Sequence, residues 1–275
     1  MNKADKLTKE NLKNILNNGT STVGHIVRPV YKDGTSAHTK FINQVVEKYD
    51  ISKNEFPITT LRPIYIRKAI GEILWIYQDQ SNDLSLLEDK YSITWWRDWE
   101  VDNTNTIGQR YGATVKKYDL MNKLLNGIKN EPYTRRHIIN LYQYEDLKTP
   151  GLNPCAFMTV WTVRGEYLDM TLTQRSSDYL VAGHINKMQY VALLLMVARH
   201  VGLKAGMFMH VVDNLHIYDR HIEQAEEMIN RTPSDKIPKL ILKEGKTNFY
   251  DFNINDFELI DYEPIPLQLK FELGI

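Results

Sequence analysis

A single cysteine occurs in the 275 residues, and its surroundings decide how it should be read. Cys155 follows Pro154 and leads into an extended run, Phe157 to Val163, that ends at Arg164-Gly165. A second extended run, Tyr167 to Thr173, delivers Gln174-Arg175-Ser176-Ser177-Asp178. Turn chemistry between two strand-like runs predicts an antiparallel hairpin, which returns Arg175 to the neighbourhood of Cys155. A thiol beside a guanidinium favours the thiolate, the nucleophilic form of cysteine. By default a lone cysteine is a small buried hydrophobe. Two features argue for chemistry instead: polar residues crowd the Arg175 strand end, and Asn186 follows at the start of a long apolar helix.

Other reactive groups are spread along the chain. Ile66, Ala69, Ile70, Ile73, Leu74 and Tyr77 form one apolar stripe at helical spacing. Glu72 falls outside it, beside Tyr65, Lys68, Trp75 and Ile76 on the wheel. It is either paired with Lys68 or held in a cleft with a shifted pKa. Trp95-Trp96-Arg97-Asp98-Trp99 puts three tryptophans in five residues, at least one of them expected in the core. Arg135 and Arg136 open an extended run, Ile138 to Tyr142. Adjacent strand residues point to opposite faces, so one of the two would ordinarily be solvated. Arg28 alone reads as a surface arginine. His216 and Tyr218, at i and i+2 of a strand, share one face. No histidines show metal-ligand spacing, and no metal is expected.

These groups need elements to hold them. Asp5 to Asn18 reads as a helix stopped by Gly19, and Asp33-Gly34 as a turn between Ile26–Tyr31 and the run after Ala37. Pro63 suits the first turn of the Glu72 helix. Leu120 to Ile128 reads as a helix ended near Pro132, and Met188 to Val201 as a buried helix ended at Gly202. Met207 to Val212 is a strand candidate. Asp219 is placed to cap a helix whose Ile222, Ala225 and Ile229 face inward. No composition break marks a linker, so residues 1–275 are expected to form one α+β domain, a large mixed or mostly antiparallel sheet flanked by helices.

Hydrophobic residues make up 43% and charged ones 25%, as in an ordinary globule. Lys+Arg and Asp+Glu both count 34, and this balance argues against a general nucleic-acid or membrane surface. One cysteine excludes an intramolecular disulfide. With no signal-type apolar core and no run judged long enough to span a bilayer, a cytoplasmic protein is expected.

Pro154-Cys155, Gln174-Arg175-Ser176-x-Asp178, Asn186 and His216-Ile217-Tyr218 occur in this order and spacing, and together they resemble the thymidylate synthase family. The similarity runs from Arg28 to Ile275. It implies a homodimer built through the sheet and a reaction that methylates dUMP to dTMP. Cys155 would add to C6 of the uracil. The co-substrate 5,10-methylenetetrahydrofolate would supply one carbon and a hydride and leave as dihydrofolate. Arg28, Arg175 and the partner's Arg135 and Arg136 would hold the phosphate, with Ser176, Ser177 and Asp178 completing the nucleotide site. Asn186 would read the base, accepting from N3–H and donating to O4. His216 and Tyr218 would take the 3′-hydroxyl. Gly71-Glu72-Ile73-Leu74-Trp75 matches the family's catalytic helix, so Glu72 and Tyr111 would manage the proton transfers. Tyr65, Trp96, Trp99, Asp178, Ala182 and the tail Gly274-Ile275 would face the folate.

Departures cluster on that side. Ala156 stands where many relatives have histidine, Tyr65 replaces a histidine, and Asn214 holds a position often aspartate. Val181-Ala182-Gly183-His184-Ile185-Asn186 replaces the commoner Leu-Gly-x-Pro-Phe-Asn. Three rivals remain: a dUMP hydroxymethylase on the same scaffold, in which water replaces hydride; a non-catalytic nucleotide-binding paralogue; and, last, a cysteine hydrolase.

Overall fold

The computed structural model describes residues 1–275. In chain order its elements are α1 (Lys3–Asn18), β1 (Thr20–Ser21), β2 (Thr39–Asp50), α2 (Ile66–Tyr77), α3 (Leu84–Tyr91), α4 (Gly112–Lys117), α5 (Leu120–Asn130), β3 (Ile138–Asn140), α6 (Tyr144–Leu147), β4 (Ala156–Arg164), β5 (Tyr167–Gln174), β6 (Ser177–Asp178), α7 (His184–His200), β7 (Lys204–Tyr218), α8 (Ile222–Asn230), β8 (Lys239–Leu242) and β9 (Phe257–Ile260). The main sheet runs β1-β2-β7-β5-β4-β3, with β6 also paired to β7, while β8 and β9 form a small separate sheet. Only the β5–β7 and β6–β7 pairings are parallel. A parallel neighbour demands a crossover, and α7 supplies it. The mixed, mostly antiparallel sheet is the one expected.

The expected hairpin is β4–β5. Arg164 pairs with Tyr167 across the two residues Gly165-Glu166, and Gly165 takes φ +61°, which a residue with a Cβ adopts only under strain. α7 is apolar nearly all round, as a helix buried on every side must be. Its Val191, Leu194 and Val197 join Ile70, Ile73 and Leu74 of α2 and Trp161, Leu172 and Phe208 of the sheet in one buried cluster. The segment Tyr179–His200 is long and apolar enough to cross a membrane by length and composition, but it is 72% buried inside the fold. The expectation that no run is long enough to span a bilayer is corrected on length, and the burial of this helix identifies it as a core helix.

Several local expectations are corrected. α2 starts at Ile66, not Pro63, because the Ile64 N–H donates to the Tyr262 hydroxyl (2.7 Å) and Gln268 donates to the Pro63 carbonyl (3.0 Å), tying this stretch to the tail. Ile26–Tyr31 is not a strand; its one bridge is Val30–Ser36, and Val30 otherwise bonds to the C-terminal Ile275. The run after Ile138 ends at Asn140, whose side chain accepts from the Tyr142 N–H and turns the chain. Met207–Val212 is the middle of the much longer β7, extended in both directions by pairing with β2. Asp219 caps nothing: it accepts from the Tyr31 hydroxyl and the Arg220 N–H, and a 3₁₀ turn precedes α8. On α8, Ala225 and Met228 are the buried residues, while Ile222 is exposed.

Candidate active site

The open end of the β4–β5 hairpin places the sulfur. The Arg175 N–H donates to the Cys155 carbonyl (3.1 Å), and Ala156 pairs with Gln174. The Arg175 guanidinium donates to the carbonyls of Pro154 (Nε, 3.0 Å) and Asn153 (Nη2, 2.7 Å), and Nη2 lies 3.5 Å from Cys155 Sγ. The predicted juxtaposition is there. Its electrostatic outcome is not: burial pushes the Cys155 thiol up, and the Arg175 and Arg28 charges pull it down without overcoming burial. Two carbonyl oxygens sit closer to the guanidinium than the sulfur does, and their dipoles offset its charge. The resting group is a thiol.

Tyr111 braces the nucleophile from the other side. Its hydroxyl accepts from the Cys155 N–H (3.2 Å), and its ring meets Trp96 edge-on at 5.2 Å. The residue sits at φ +46°, ψ −109°, a conformation that costs free energy and persists only where packing enforces it. Burial raises the Tyr111 phenol, with Cys155 and Glu72 among the charges that act on it, so both groups lie near the ring.

Glu72 projects from α2 and is buried. Its partner is not Lys68 but Trp95, whose indole N–H donates to Oε2 at 2.6 Å. Lys68 instead lies over the Trp95 ring, 5.8 Å from its centre. Burial pushes the Glu72 carboxyl up to about 7, against the pull of its hydrogen-bond donors. A carboxyl poised there can both release and accept a proton near neutral pH.

A one-turn π-helix, Tyr179–Gly183, links β6 to α7, and the Asp178 carboxylate accepts from the Val181 N–H (3.2 Å) at its start. Ala182 lies half-buried within it. Two residues into α7, the Asn186 amide bonds to two glutamines: Gln174 Nε2 donates to its Oδ1 (3.2 Å), and its Nδ2 donates to Gln189 (3.0 Å). The β6–β7 register sets Asp178 beside His216, and Ser177 beside Leu215. Ser177 is buried with its hydroxyl unpartnered, and Ser176 is half-buried. The His216 and Tyr218 rings meet edge-on at 5.5 Å on one face of β7, as their spacing required. Burial lowers the His216 pKa and raises that of Tyr218 to about 12. The Asp178 charge adds to the rise at Tyr218 and the Arg28 charge opposes it.

The tail closes over the Tyr218 ring. Tyr218 donates to the Gly274 carbonyl (3.3 Å), and Ile275 exchanges two backbone hydrogen bonds with Val30 (2.9 and 3.0 Å), next to the Arg28 segment. A Cβ on Gly274 would come within 2.8 Å of the Tyr218 ring. Trp96 is buried between Trp99 and Tyr111, with its indole nitrogen unpartnered. Tyr65 stands apart, 56% exposed. Arg135 and Arg136 are also exposed, precede β3 and form no ion pair within the chain.

Four residues of this site went unassigned in the sequence. Trp95 was one of three adjacent tryptophans, with nothing local to single it out. Gln189 lies three residues beyond Asn186 on one helix, a spacing that could have revealed it. Gln174 belonged to a recognised motif without a role. His210 reaches the site only through the sheet.

The thymidylate synthase family model matches residues 8–275. The chain is 54% identical, over the full length of both proteins, to the thymidylate synthase of Streptococcus pneumoniae strain 70585, and 55% identical to that of Streptococcus gordonii strain Challis, again over both full lengths. Its structure is similar to that of thermostable thymidylate synthase A from Bacillus subtilis, with a TM-score of 0.92 at 32% identity, covering 98% of this chain and 99% of that one. The sulfur, the buried carboxyl and the amide of this chain are thus set in a known framework: the chain belongs to the thymidylate synthase family.

Proposed function

We propose that this protein methylates dUMP to dTMP at a site built around Cys155. C5 of uracil is a poor nucleophile, and addition of sulfur at C6 makes it reactive. Because the resting sulfur is a thiol, its proton must first pass to solvent. The thiolate then adds to C6, and the C5–C6 electron pair moves toward the C4 oxygen to give the enolate. Arg175 Nη2, 3.5 Å away, stabilises that thiolate before it adds. Tyr111 fixes the backbone of Cys155, and Glu72 takes part in removing the C5 proton. Arg28 and Arg175, with Ser176, Ser177 and Asp178, hold the nucleotide phosphate and sugar. His216 and Tyr218 take the 3′-hydroxyl, and Asn186 reads the uracil edge. The observation that carries this reading is the contact of Arg175 with a cysteine whose backbone is held by Tyr111, together with the buried Glu72 carboxyl bonded to Trp95.

When bound, 5,10-methylenetetrahydrofolate supplies the one-carbon unit and the hydride. The residues present suit a flat heterocycle: Trp96, Trp99 and Tyr111 make an aromatic wall, and the buried Trp96 indole N–H lacks a partner within the chain. Asp178, Ala182, Tyr65 and the tail Gly274-Ile275 complete that side, and closure of the tail excludes water.

The exposed, unpaired Arg135 and Arg136 support a dimer in which each subunit completes its partner's phosphate site. Arginine suits this role because its planar fork binds phosphate bidentately. Arg135→Glu and Cys155→Ser, each inactive alone, should then regain activity when mixed. No recovery despite demonstrated subunit exchange would exclude a shared site. We place the reaction in the cytoplasm, where a lone thiol stays reduced. The deciding assay follows products: equal amounts of dihydrofolate and dTMP from dUMP support the reading, whereas hydroxymethylated nucleotide with tetrahydrofolate assigns the chain to the hydroxymethylases.

A further inference from the structure

An asparagine side chain can turn its amide either way. One orientation complements uracil and the other cytosine, so naming Asn186 as the reader leaves open what holds it in the uracil-reading pose. A buried line of polar groups behind it supplies the answer. His210 Nε2 pairs with Gln174 Oε1, Gln174 Nε2 donates to Asn186 Oδ1, and Asn186 Nδ2 donates to Gln189 Oε1. Gln174, Gln189 and His210 are all buried.

The direction of this line is set at its inner end. His210 is neutral: burial lowers its pKa to about 3, the attraction of Glu47 notwithstanding. The charged groups facing it are Glu47, its cross-strand neighbour on β2, and Lys187 on α7, and these two satisfy each other at 2.7 Å. Tyr49 and Tyr179 also donate to Glu47, at 2.6 and 2.9 Å. A neutral imidazole carries one N–H. His210 Nδ1 has no partner, and a buried N–H without an acceptor is costlier than an unused lone pair. The proton therefore sits on Nε2 and donates to the Gln174 carbonyl. That turns the Gln174 amide nitrogen toward Asn186, and so the Asn186 carbonyl toward Gln174. Gln189 Nε2 faces the Glu72 carboxyl and, against the larger effect of burial, lowers its pKa without closing a well-formed hydrogen bond, so Gln189 is the weaker constraint.

We propose that His210, acting through Gln174, fixes the Asn186 amide in the orientation that accepts from N3–H and donates to O4, and so makes the site prefer uracil over cytosine. His210 and Gln174 are positioning residues. The inference rests on Asn186 being the base reader of the proposed function. The second lone pair of Oδ1 and the second N–H of Nδ2 remain for the base, so the clamp and the nucleotide do not compete.

Calorimetric binding of dUMP, dCMP and 2-deoxyribose 5-phosphate to the whole protein tests this. His210→Met, which removes the donor, should reduce the preference for dUMP over dCMP by about tenfold or more, with affinity for the base-free sugar phosphate unchanged. His210→Gln, which can offer an N–H, should restore much of the preference. An unchanged preference in His210→Met, or a parallel loss of sugar-phosphate affinity, overturns the relay. If His210→Met does not fold, Gln174→Met carries the same expectation one step nearer the base. Wild-type protein that binds dUMP and dCMP alike overturns the base-reading role itself. Wild-type preference that survives both variants overturns only the relay.

Discussion

The two halves of the site are built on different terms. On the nucleotide side the charged and amide groups are each tied to a second residue: Arg175 to three groups of the Asn153–Cys155 segment, Asp178 to the π-turn, Asn186 to two glutamines, with the Ser177 hydroxyl left free. On the folate side the wall is aromatic edges, an unpartnered indole N–H and an exposed Tyr65. The first half is rigid before any ligand arrives, which lowers the cost of ordering it. The second is packed ring against ring and held by the tail's bonds to Val30 and Tyr218, with fewer side-chain hydrogen bonds of its own. Of the departures noted in the sequence, Tyr65 and the Val181–Ile185 run fall on the folate side, whereas Ala156 pairs with Gln174 beside Cys155 and Asn214 accepts from His216 Nδ1 (3.0 Å), both on the nucleotide side.

Four changes probe that contrast. Cys155→Ser should cost the most, on the order of 10⁴-fold or more in kcat, with dUMP binding retained because the phosphate and base contacts survive; lost binding would mean that the sulfur holds the pocket together. Glu72→Gln should lower kcat by about 10²–10⁴-fold and also stabilise the fold in a pH-dependent way. The Glu72 pKa rises from an ordinary 4.5 to about 7 on folding, so burying its charge destabilises the native state. That penalty is absent below pH 4.5, grows as pH rises and is complete above about 7, where it amounts to about 3 kcal/mol. The variant should therefore melt higher than wild type at pH 8 and equally at pH 4; equal melting at both would place the carboxyl in water.

Asn186→Asp should shift preference toward dCMP by an order of magnitude or more while leaving folate affinity alone, which would sharpen the division between the halves. Tyr65→Ala should have the smallest effect, about threefold or less in the KM for folate with dUMP binding unchanged. A large effect on dUMP binding there would show that the two halves are coupled. A chemical check on the nucleophile accompanies these. Iodoacetamide should alkylate Cys155 slowly at neutral pH, and the rate should still be rising at the thiol's ordinary pKa of 9.0; a plateau near pH 7 would restore the ionised resting sulfur.

The hairpin that brings Arg175 to Cys155 was legible because a turn and two flanking runs are local in sequence. The α2 stripe and the α7 run were legible for the same reason. The thiol's protonation state was not, since it is a sum of burial and two opposed charges that only the folded surroundings determine. Trp95 was hidden because choosing among adjacent indoles requires knowing which way a 3₁₀ turn faces. His210 was hidden because 36 residues separate it from Gln174, and only the parallel β5–β7 register joins them. Asp219 misled because a carboxylate before a helix can find a hydroxyl, here Tyr31, that a one-dimensional pattern does not reveal.

The strand order has a consequence for how the chain comes into being. β7 is the last strand of the main sheet to be synthesised, yet it lies at its middle, between β2 and β5. Until it emerges from the ribosome, the nascent chain carries two unsatisfied strand edges that in the finished protein face each other across a gap one strand wide. Such edges invite pairing with other chains. A ribosome stalled after residue 203 should therefore hold a chain prone to aggregation and dependent on chaperones, and release of the rest of the chain should cure both.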